Sequence, residues 1–556
     1  MYNLLIGGAA GQGIDTTAAI LERLLKRSGY SVFTSRDFMS RVRGGHNFSL
    51  VRFAVEPVMS HSSKLDGIIA LNDETIELHK AELKENGFIL CDTSLLTADP
   101  RAIKISMDEK AKELGNKRAS GSVAIGVVLK AFGENLDHVR EVLTTFVKEE
   151  LLDINLKAIR AGYNIVGKRF NHLQGNCSDD IILSGNKALS MGAIAAGLRF
   201  YSAYPMSPST SIMEYIASKA DELGIVVEQA EDEIAAINMA IGASYAGARA
   251  MTGTSGGGFS LMVEALGLSG IAEIPLVVAN VQRPGPSTGL PTRTEQSDLK
   301  FVISASHGEF PRMVMALRNH ADAFYQTARA FYLAETYQIP VIILSDQYLA
   351  DSSATIKSFD ISKIKVAKTV GSDSDENEYL RYRYTADGIS PRIIPGGKNN
   401  FSVIDSDEHD ERGWITESAE VRIKMMDKRM KKIEKLREEL LEPEFLGTQN
   451  YEILIIGWGS TYGPIAEAIN LLNEKSEKKY AALVFGDVFP LPQKLLKEKT
   501  AKASQVINVE QNATGQFAEF IREQTGIICS KSILKYDGRQ ISGEEIAERI
   551  QEEDLK

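Results

Sequence analysis

The acidic run Glu228-Gln229-Ala230-Glu231-Asp232-Glu233 leads directly into a stretch of small apolar residues that continues through Ala246. Acids at the start of a helix are favoured by its dipole, which by itself accounts for two of them. Glu233 is the last acid before the apolar stretch. It is therefore the one most readily drawn out of water, where a carboxylate can exchange a proton with a bound group. Glu231 is the alternative. Upstream lies Tyr204-Pro205-Met206-Ser207-Pro208-Ser209-Thr210. Its prolines restrict φ and remove backbone donors, leaving three hydroxyls, Ser207, Ser209 and Thr210, on a stiff segment. Ser209 or Thr210 suits the cap of a helix beginning near Ser211. A plain cap is one reading. A ligand site is the other, because open α/β sheets bind ligands at strand C-terminal ends.

Two further loops carry residues suited to ligands. Gly253-Thr254-Ser255-Gly256-Gly257-Gly258 follows a strand and allows close backbone approach to a phosphate or a flat ring. Gln282-Arg283-Pro284-Gly285-Pro286 continues to Arg293 and presents two arginines on a Pro/Gly scaffold. Arg283 or Arg293 there could clamp a carboxylate bidentately. Nearer the N-terminus, Gly7-Gly8-Ala9-Ala10-Gly11-Gln12-Gly13 joins a strand to a helix. Its spacing departs from the dinucleotide fingerprint, and no acid for a ribose ends the second strand near Thr34, so a tight turn serving packing or a different ligand is the favoured reading. Ser40-Arg41-Val42-Arg43-Gly44-Gly45-His46-Asn47 reads equally as a polar surface loop or as an anion site, for instance for coenzyme A phosphates.

These loops need elements to hold them. Up to about residue 170, strands Asn3–Ile6, Ser31–Thr34, Gly67–Ala70 and Phe88–Cys91 alternate with helical patterns at Thr16–Lys26 and Leu136–Glu150, the rhythm of a parallel, doubly wound sheet. Residues 171–180 form a polar linker. A second α/β region covers 181–359, with strands at Ile225–Glu228, Arg249–Thr252, Pro275–Val281 and Pro340–Ser345. Residues 360–445 are irregular, with an acidic stretch Ser372–Asn377, a Pro/Gly/Asn-rich stretch Pro391–Asn400 and a charged helix over Ser418–Leu441. That helix is expected to pack on a neighbour and present a solvated face. From 446 to 556 the alternation resumes, with strands at Tyr451–Ile456, Ala481–Phe485 and Gln505–Val509 and a helix at Pro464–Asn473. The fold class is α/β, three domains with mainly parallel sheets.

Composition bounds the chemistry. With 556 residues, 44% hydrophobic and 25% charged, the chain is ordinary globular protein too long for one core. A net charge of −11 argues against a general nucleic-acid binder. No apolar run approaches the roughly 20 residues that span a bilayer, and the N-terminus opens on a strand, so a cytoplasmic location is the default expectation. The three cysteines, Cys91, Cys177 and Cys529, are far apart and read as small apolar residues. No four-cysteine cluster motif is present, so any redox centre must lie in another chain.

Taken together these motifs resemble the 2-oxoacid:ferredoxin (acceptor) oxidoreductase family, in the form that fuses its gamma and alpha parts. The segment at Tyr204–Thr210 is similar to the family's YPITPST, with Met206 and Ser207 in place of Ile and Thr. That change keeps the hydroxyl and mildly widens the site. QRPGPSTGLPTRTEQSDL, EDEIAAINMAIGASYAGARA, Ser390-Pro391-Arg392, Asp407-Glu408-His409-Asp410 and the VEQNATGQ stretch Val509–Gln516 are similarly close. The resemblance implies a gamma domain at 1–170, a thiamine pyrimidine-binding domain at 181–359 and a transketolase-C-terminal-like domain at 446–556. It implies coenzyme A-dependent oxidative decarboxylation of a 2-oxoacid to acyl-CoA and CO2, with electrons passed to ferredoxin. In such enzymes a buried carboxylate hydrogen-bonds the thiamine aminopyrimidine and promotes loss of the thiazolium C2 proton. Glu233 matches that residue, with Glu231, Tyr204, Pro205 and Gly256 also beside the cofactor. Ser207 matches the motif threonine, Ser209 and Thr210 lie with it near substrate, and Arg283, less directly Arg293, matches the carboxylate-binding arginine. The fusion and the GPSTGLPT loop resemble the 2-oxoglutarate and broad-specificity branches.

The resemblance also implies a division of labour. Thiamine diphosphate is anchored through Mg2+ held by oxygen ligands on a GDG…N-type loop. This sequence has none, Phe485-Gly486-Asp487-Val488 being the nearest. A beta subunit is therefore expected to supply Mg2+, the diphosphate site and a [4Fe-4S] centre, in an (alpha-beta)2 assembly without nucleic acid or membrane, and this chain alone is expected to be inactive. Two other classes compete: a nucleotide-binding regulatory scaffold using only the N-terminal turn, and half of a non-oxidative thiamine transferase.

Overall fold

Aliphatic runs between turn residues become buried strands, and these collect into two separately packed units: Met1–Ser184 with Asp351–Ser358, and Gly185–Ala350 with Phe359–Lys556. The computed structural model describes residues 1–39, 45–367, 370–371, 379–396 and 402–554.

The first unit holds an eight-stranded sheet in the order Ala102–Ile105, Leu83–Asp92, Leu65–Ala70, Tyr2–Ala9, His46–Ala54, Ser31–Asp37, Ser353–Ile356, Ile181–Ser184. The first four strands run parallel. The remaining pairings are antiparallel, so the sheet expected here as parallel is parallel over its first four strands only. The cause is His46–Ala54, a strand not expected from the sequence, whose first two residues fall in the Ser40–Asn47 loop. Its connection from Asp37 is too short for a crossover, which forces an antiparallel return. Ser40–Gly44, and with them the basic part of the proposed anion loop, lie outside the described residues, as do Ser372–Asn377 and residues 397–400.

Helix Ile14–Arg27 turns Ile14, Ala18, Leu21 and Leu25 inward at helical spacing. Helices Ser120–Phe132 and Glu149–Tyr163 meet through glycine: a methyl on Gly126 would lie 1.9 Å from the Ile159 carbonyl oxygen, and one on Gly162 2.0 Å from that of Val123. The helix expected over Leu136–Glu150 is instead a short turn of helix, Val139–Leu143, and a restart at Glu149. Thr144 and Thr145 donate their hydroxyls to the carbonyls of Glu141 and Val142, closing the first helix. The acids Glu149 and Glu150 then favour a new N-terminus. The polar stretch 171–180 lies on this unit. Leu173 N donates to the Tyr30 hydroxyl at 3.0 Å, and a methyl on Gly175 would lie 2.0 Å from the Gly29 carbonyl oxygen. In the N-terminal glycine turn, Gln12 Oε1 accepts from Ala9 N at 2.6 Å and its Nε2 donates to the Leu71 carbonyl. The turn is thus closed by its own side chain.

Among the described residues the second unit contains two large sheets, besides a parallel pairing of Val370–Gly371 with Arg392–Ile393. One has the order Asp487–Phe489, Met313–Ala316, Pro340–Asp346, Leu276–Gln282, Ala250–Thr254, Phe200–Ala203, Val226–Gln229, parallel except for its first strand. The other runs Glu444–Gly447, Tyr480–Phe485, Ile453–Trp458, Gln505–Glu510, Lys531–Leu534, parallel except for Glu444–Gly447. One apolar core joins them, packing Ile237, Phe259 and Leu276 with Leu454, Trp458, Phe485 and Phe517. The charged helix spans Ala419–Glu438, and its buried stripe, Met425, Lys428, Arg429, Lys432 and Leu436, is largely cationic. Lys428 and Lys432 each place Nζ 2.5 Å from Glu273, and Arg429 grips both oxygens of Glu408. Burial would raise the Glu273 carboxyl, but Lys432, Lys428 and Arg381 hold it well below the usual carboxylate range. Among the described residues no helix is long and apolar enough to cross a membrane.

Glu510, fully buried at the end of its strand, organises the C-terminal sheet. Its carboxylate accepts from Trp458 Nε1, Asn508 Nδ2, Asn512 Nδ2 and the amides of Phe517 and Ala518 at the head of helix Gln516–Thr525. Removing an acceptor leaves those buried donors unpaired. Glu510→Ala is expected to lower unfolding stability by about 3 kcal/mol or more, read as a shifted urea midpoint.

Candidate functional site

The chain leaves strand Phe200–Ala203 toward one side of its sheet, forms Val226–Gln229, then crosses back to lay Ala250–Thr254 on the other side. The strand order reverses between Phe200–Ala203 and Ala250–Thr254. Loops leaving their C-terminal ends diverge there and open a crevice. One lip is Tyr204–Ser209 and the other is Ser255–Gly258, so topology alone assembles two of the motifs.

In the first lip, Asn186 Nδ2 ties down the Pro208 carbonyl and Ser211 Oγ, both at 2.9 Å. The helix begins at Thr210. Ser209 occupies the cap position, but its hydroxyl donates back to the Met206 carbonyl at 2.7 Å and makes no cap bond. The expected cap by Ser209 or Thr210 is therefore corrected: the hydroxyl closes the loop instead, and Thr210 is already helical. Tyr204 and Ser207 are exposed, Pro205 half-buried.

Glu233 opens helix Glu233–Tyr245, whose cap is Asp232, accepting from Ala235 N at 2.8 Å. Its side chain is drawn inward, only 4% exposed, and Oε1 has no hydrogen-bond partner. Glu231 points to solvent. Gly258 makes room for the carboxylate: a methyl there would lie 2.5 Å from Glu233 Oε1 and 2.2 Å from Thr254 Oγ1. Thr254 Oγ1 in turn lies 3.9 Å from Met206 Sδ. Glu233, the glycine turn and the Tyr204–Thr210 segment thus meet in one place.

The long loop from Arg283 to Ser297 forms the third wall. Arg283 Nη1 donates to the Ser207 carbonyl at 2.8 Å, and burial pulls its guanidinium somewhat below its usual range while Asp298 opposes this. Arg293 is half-buried and packs beside Gly538, away from the Ser207 contact. The loop's far end is held by the C-terminal sheet. Gln296 Nε2 donates to the Trp458 carbonyl, Gln296 N to that of Gln511, and Asn512 Nδ2 to that of Gln296. Gln516 Nε2 reaches the Ser297 carbonyl at 2.7 Å. The Val509–Gln516 motif therefore works as a clamp on the arginine loop.

Behind Arg283 sits Asp298. Its amide donates to Gln282 Oε1, its carboxylate accepts from Asn280 Nδ2 at 3.1 Å, and a methyl on Gly256 would lie 2.5 Å from it. Burial pushes its carboxyl up to about 6, against the pull of Asn280 and Arg283. Glu295 is pushed up to about 7 by burial and by the charges of Asp298 and Asp537. At Phe485–Val488, Asp487 is held by Arg329 through both oxygens at 2.6 and 2.8 Å, a structural pair. Among the described residues no group of three or more His, Cys, Asp or Glu side chains could hold a metal ion. Burial raises the thiols of Cys91 and Cys177 and takes that of Cys529 up to about 12.

Comparison with known proteins gives this geometry a lineage. Residues 191–428 match the family described as pyruvate flavodoxin/ferredoxin oxidoreductase, thiamine diphosphate-binding, and residues 3–165 match pyruvate ferredoxin/flavodoxin oxidoreductase. A Sulfolobus protein described as 2-oxoacid:ferredoxin oxidoreductase subunit alpha is 34% identical, covering 98% of this chain and 96% of its own. This chain belongs to the 2-oxoacid:ferredoxin oxidoreductase family. The 2-oxoglutarate synthase subunit KorA of Methanothermobacter thermautotrophicus is 32% identical to the oxidoreductase chain over 67% of its length, and 98% of KorA is covered. The solved 2-oxoglutarate:ferredoxin oxidoreductase of Magnetococcus marinus, with 2-oxoglutarate, coenzyme A and succinyl-CoA bound, matches at a TM-score of 0.93 and 33% identity, covering 99% of each chain.

Thr254, Gly258, Asn280, Asp298 and Glu295 were not singled out from this oxidoreductase sequence. Gly258 is the third of a glycine run and Asp298 is the penultimate residue of the QRPGPSTGLPTRTEQSDL segment, so both stood beside noticed residues. What marks them is contact with residues distant in sequence, which spacing does not reveal. Gly258→Ala is expected to destabilise the subunit by about 1–3 kcal/mol through overpacking against Thr254 and Glu233. Gly257→Ala, where a methyl would meet only the Ser287 carbonyl at 3.8 Å, is expected to be near neutral. Urea melts of the two variants check the pair.

Proposed function

We propose that this subunit binds the aminopyrimidine of thiamine diphosphate and the carboxylate of a 2-oxoacid, with 2-oxoglutarate favoured, for coenzyme A-dependent oxidative decarboxylation to acyl-CoA and CO2. The observation that carries this reading is Glu233 Oε1, withdrawn from water with nothing to bind. A pyrimidine ring nitrogen can share one proton with such an oxygen, accepting it from the carboxylic acid or donating it back when protonated, so the residues fit the cofactor. When bound, thiamine diphosphate supplies a nucleophilic carbon and an electron sink for the departing CO2.

The protein's own part is placement. Glu233 holds or releases a proton at Oε1, and its burial keeps water from competing for that bond. Tyr204, Pro205 and Gly256 wall the ring's side of the crevice, with Glu231 at the solvent edge. Ser207 offers a hydroxyl on a stiff loop, beside Ser209 and Thr210. Arg283, already aimed across the crevice by the Ser207 carbonyl, meets the substrate carboxylate through a forked pair of bonds. Arg293 serves the same loop from its far end. The 2-oxoglutarate preference draws support from the gamma–alpha fusion, the GPSTGLPT loop and the likeness to the Magnetococcus enzyme.

The remaining machinery belongs to a partner. A beta subunit is proposed to hold Mg2+, the diphosphate site and a [4Fe-4S] centre that passes electrons to ferredoxin, within an (alpha-beta)2 assembly in the cytoplasm. The absence of a Mg2+-loop motif and of a cysteine cluster from the sequence supports this. So do Ile234, Met239 and Leu261, exposed apolar side chains on the two helices beside Glu233, suited to contact with a second chain. In domain terms, 1–170 is proposed as the gamma part, 181–359 as the pyrimidine-binding domain and 446–556 as the transketolase-C-terminal-like domain. Residues 171–180 and 360–445 connect them.

With the cognate beta chain co-expressed, Glu233→Gln is expected to cut 2-oxoglutarate-dependent dye reduction by roughly 10²-fold or more while the subunits still co-purify. Glu231→Gln is expected to stay within a few-fold of the parent, and this subunit purified alone to show no turnover. Full activity of Glu233→Gln, or turnover by the lone subunit, overturns the assignment.

A further inference from the structure

Asp298 has no place in the chemistry described so far, yet it lies at the foot of the wall that carries Arg283. Three elements converge on it. Strand Leu276–Gln282 contributes Asn280, whose Nδ2 donates to the carboxylate, and Gln282, whose Oε1 accepts the Asp298 amide. Helix Gly256–Ile271 brings its first residue, Gly256, close enough that only glycine fits. The loop itself brings Arg283 within electrostatic range. The groups facing Asp298 are therefore one cation, Arg283, and one acid, Glu295, behind which stands Asp537 with its partner Lys535.

Charge then decides the argument. With Asp298 ionised, Arg283 and Asp298 are close to neutral as a pair in a poorly hydrated place. A substrate carboxylate arriving at Arg283 adds a second negative charge beside Asp298 and Glu295. Two carboxylates sharing one cation in such a site cannot both stay ionised without cost, and the half-buried Asp298 takes a proton.

We propose that Asp298 is the positioning residue of Arg283, and that capture of the substrate carboxylate by Arg283 is coupled to uptake of one proton from solvent by the Asp298 carboxyl. The Asp298 proton then lets its O–H face the substrate side or Asn280 Oδ1, which is buried without a partner. This rests on the proposed substrate role of Arg283.

The sign follows. Substrate favours the protonated form, so binding is tightest where Asp298 already carries its proton and weakens as pH rises through its free-enzyme value of about 6. For one fully coupled proton the weakening approaches about tenfold per pH unit. The 2-oxoacid carboxylate itself does not titrate in this window.

The test uses the alpha–beta complex. In the parent, KM for 2-oxoglutarate is expected to climb several-fold per unit between pH 6 and 8 with kcat changing less. In Asp298→Asn, which keeps the side chain's shape, KM is expected to rise less steeply over that range, Glu295 alone remaining to titrate there, and to be lower than the parent's at pH 8. Titration calorimetry of 2-oxoglutarate into the complex, in buffers of different ionisation enthalpy, is expected to report a larger proton uptake by the parent than by the variant. An equal pH slope in both proteins, or no proton uptake by the parent, overturns the proposal. If Asp298→Asn does not assemble, the calorimetry on the parent decides. Arg283→Lys separates the two claims: unchanged KM refutes the substrate role of Arg283, whereas a raised KM with failed Asp298 results refutes only the coupling.

Discussion

A carboxylate oxygen removed from water and left unbonded costs on the order of 1–3 kcal/mol, and more when it is charged. Glu233 Oε1 is in that position, and much around it serves to keep it there. Asp232 takes over the capping bond that Glu233 would otherwise make, and Gly258 gives up a side chain so that the carboxylate can turn inward. Thr254 and Met206 close the space beside it. A stability argument alone would replace such an acid by an apolar residue. Its presence is intelligible as half of a hydrogen bond completed by a ligand.

The site depends on a second constraint, the anchoring of the arginine loop. Fifteen residues separate Gln282 from Asp298, long enough to wander, yet both ends are bound. Near one end Arg283 bonds the Ser207 carbonyl, and at the other Gln282 and Asn280 receive Asp298 while Gln296 is gripped by Gln511 and Asn512. Those last residues belong to the C-terminal sheet, whose own geometry rests on the fully paired Glu510. The C-terminal sheet thus contributes to the crevice by positioning, through Gln296 and Ser297, the loop that carries Arg283.

Local chemistry was readable where a residue's role follows from its neighbours in sequence. Glu233 was preferred to Glu231 because it borders the apolar stretch, and that border is where burial begins. Strands such as Pro340–Asp346 and Tyr480–Phe485 fall within a residue or two of their hydrophobic runs. Three things were hidden. His46–Ala54 alternates apolar and polar residues behind a glycine-rich start, so its antiparallel return was not seen. The inward cations of helix Ala419–Glu438 look solvated until Glu273 and Glu408 are placed against them. Asp298 is an ordinary loop acid until Asn280 and Gly256 arrive from other elements. For the helix and for Asp298 the partner is remote in sequence, and only the fold supplies it.

The central claim is that Glu233 waits for the cofactor's pyrimidine. A structure of the alpha–beta complex with thiamine diphosphate bound tests it most directly. The account predicts Glu233 Oε1 at hydrogen-bonding distance, roughly 2.6–3.0 Å, from a ring nitrogen of the aminopyrimidine. A pyrimidine contacting Glu231 or another acid, with Glu233 paired to protein or water, would contradict it.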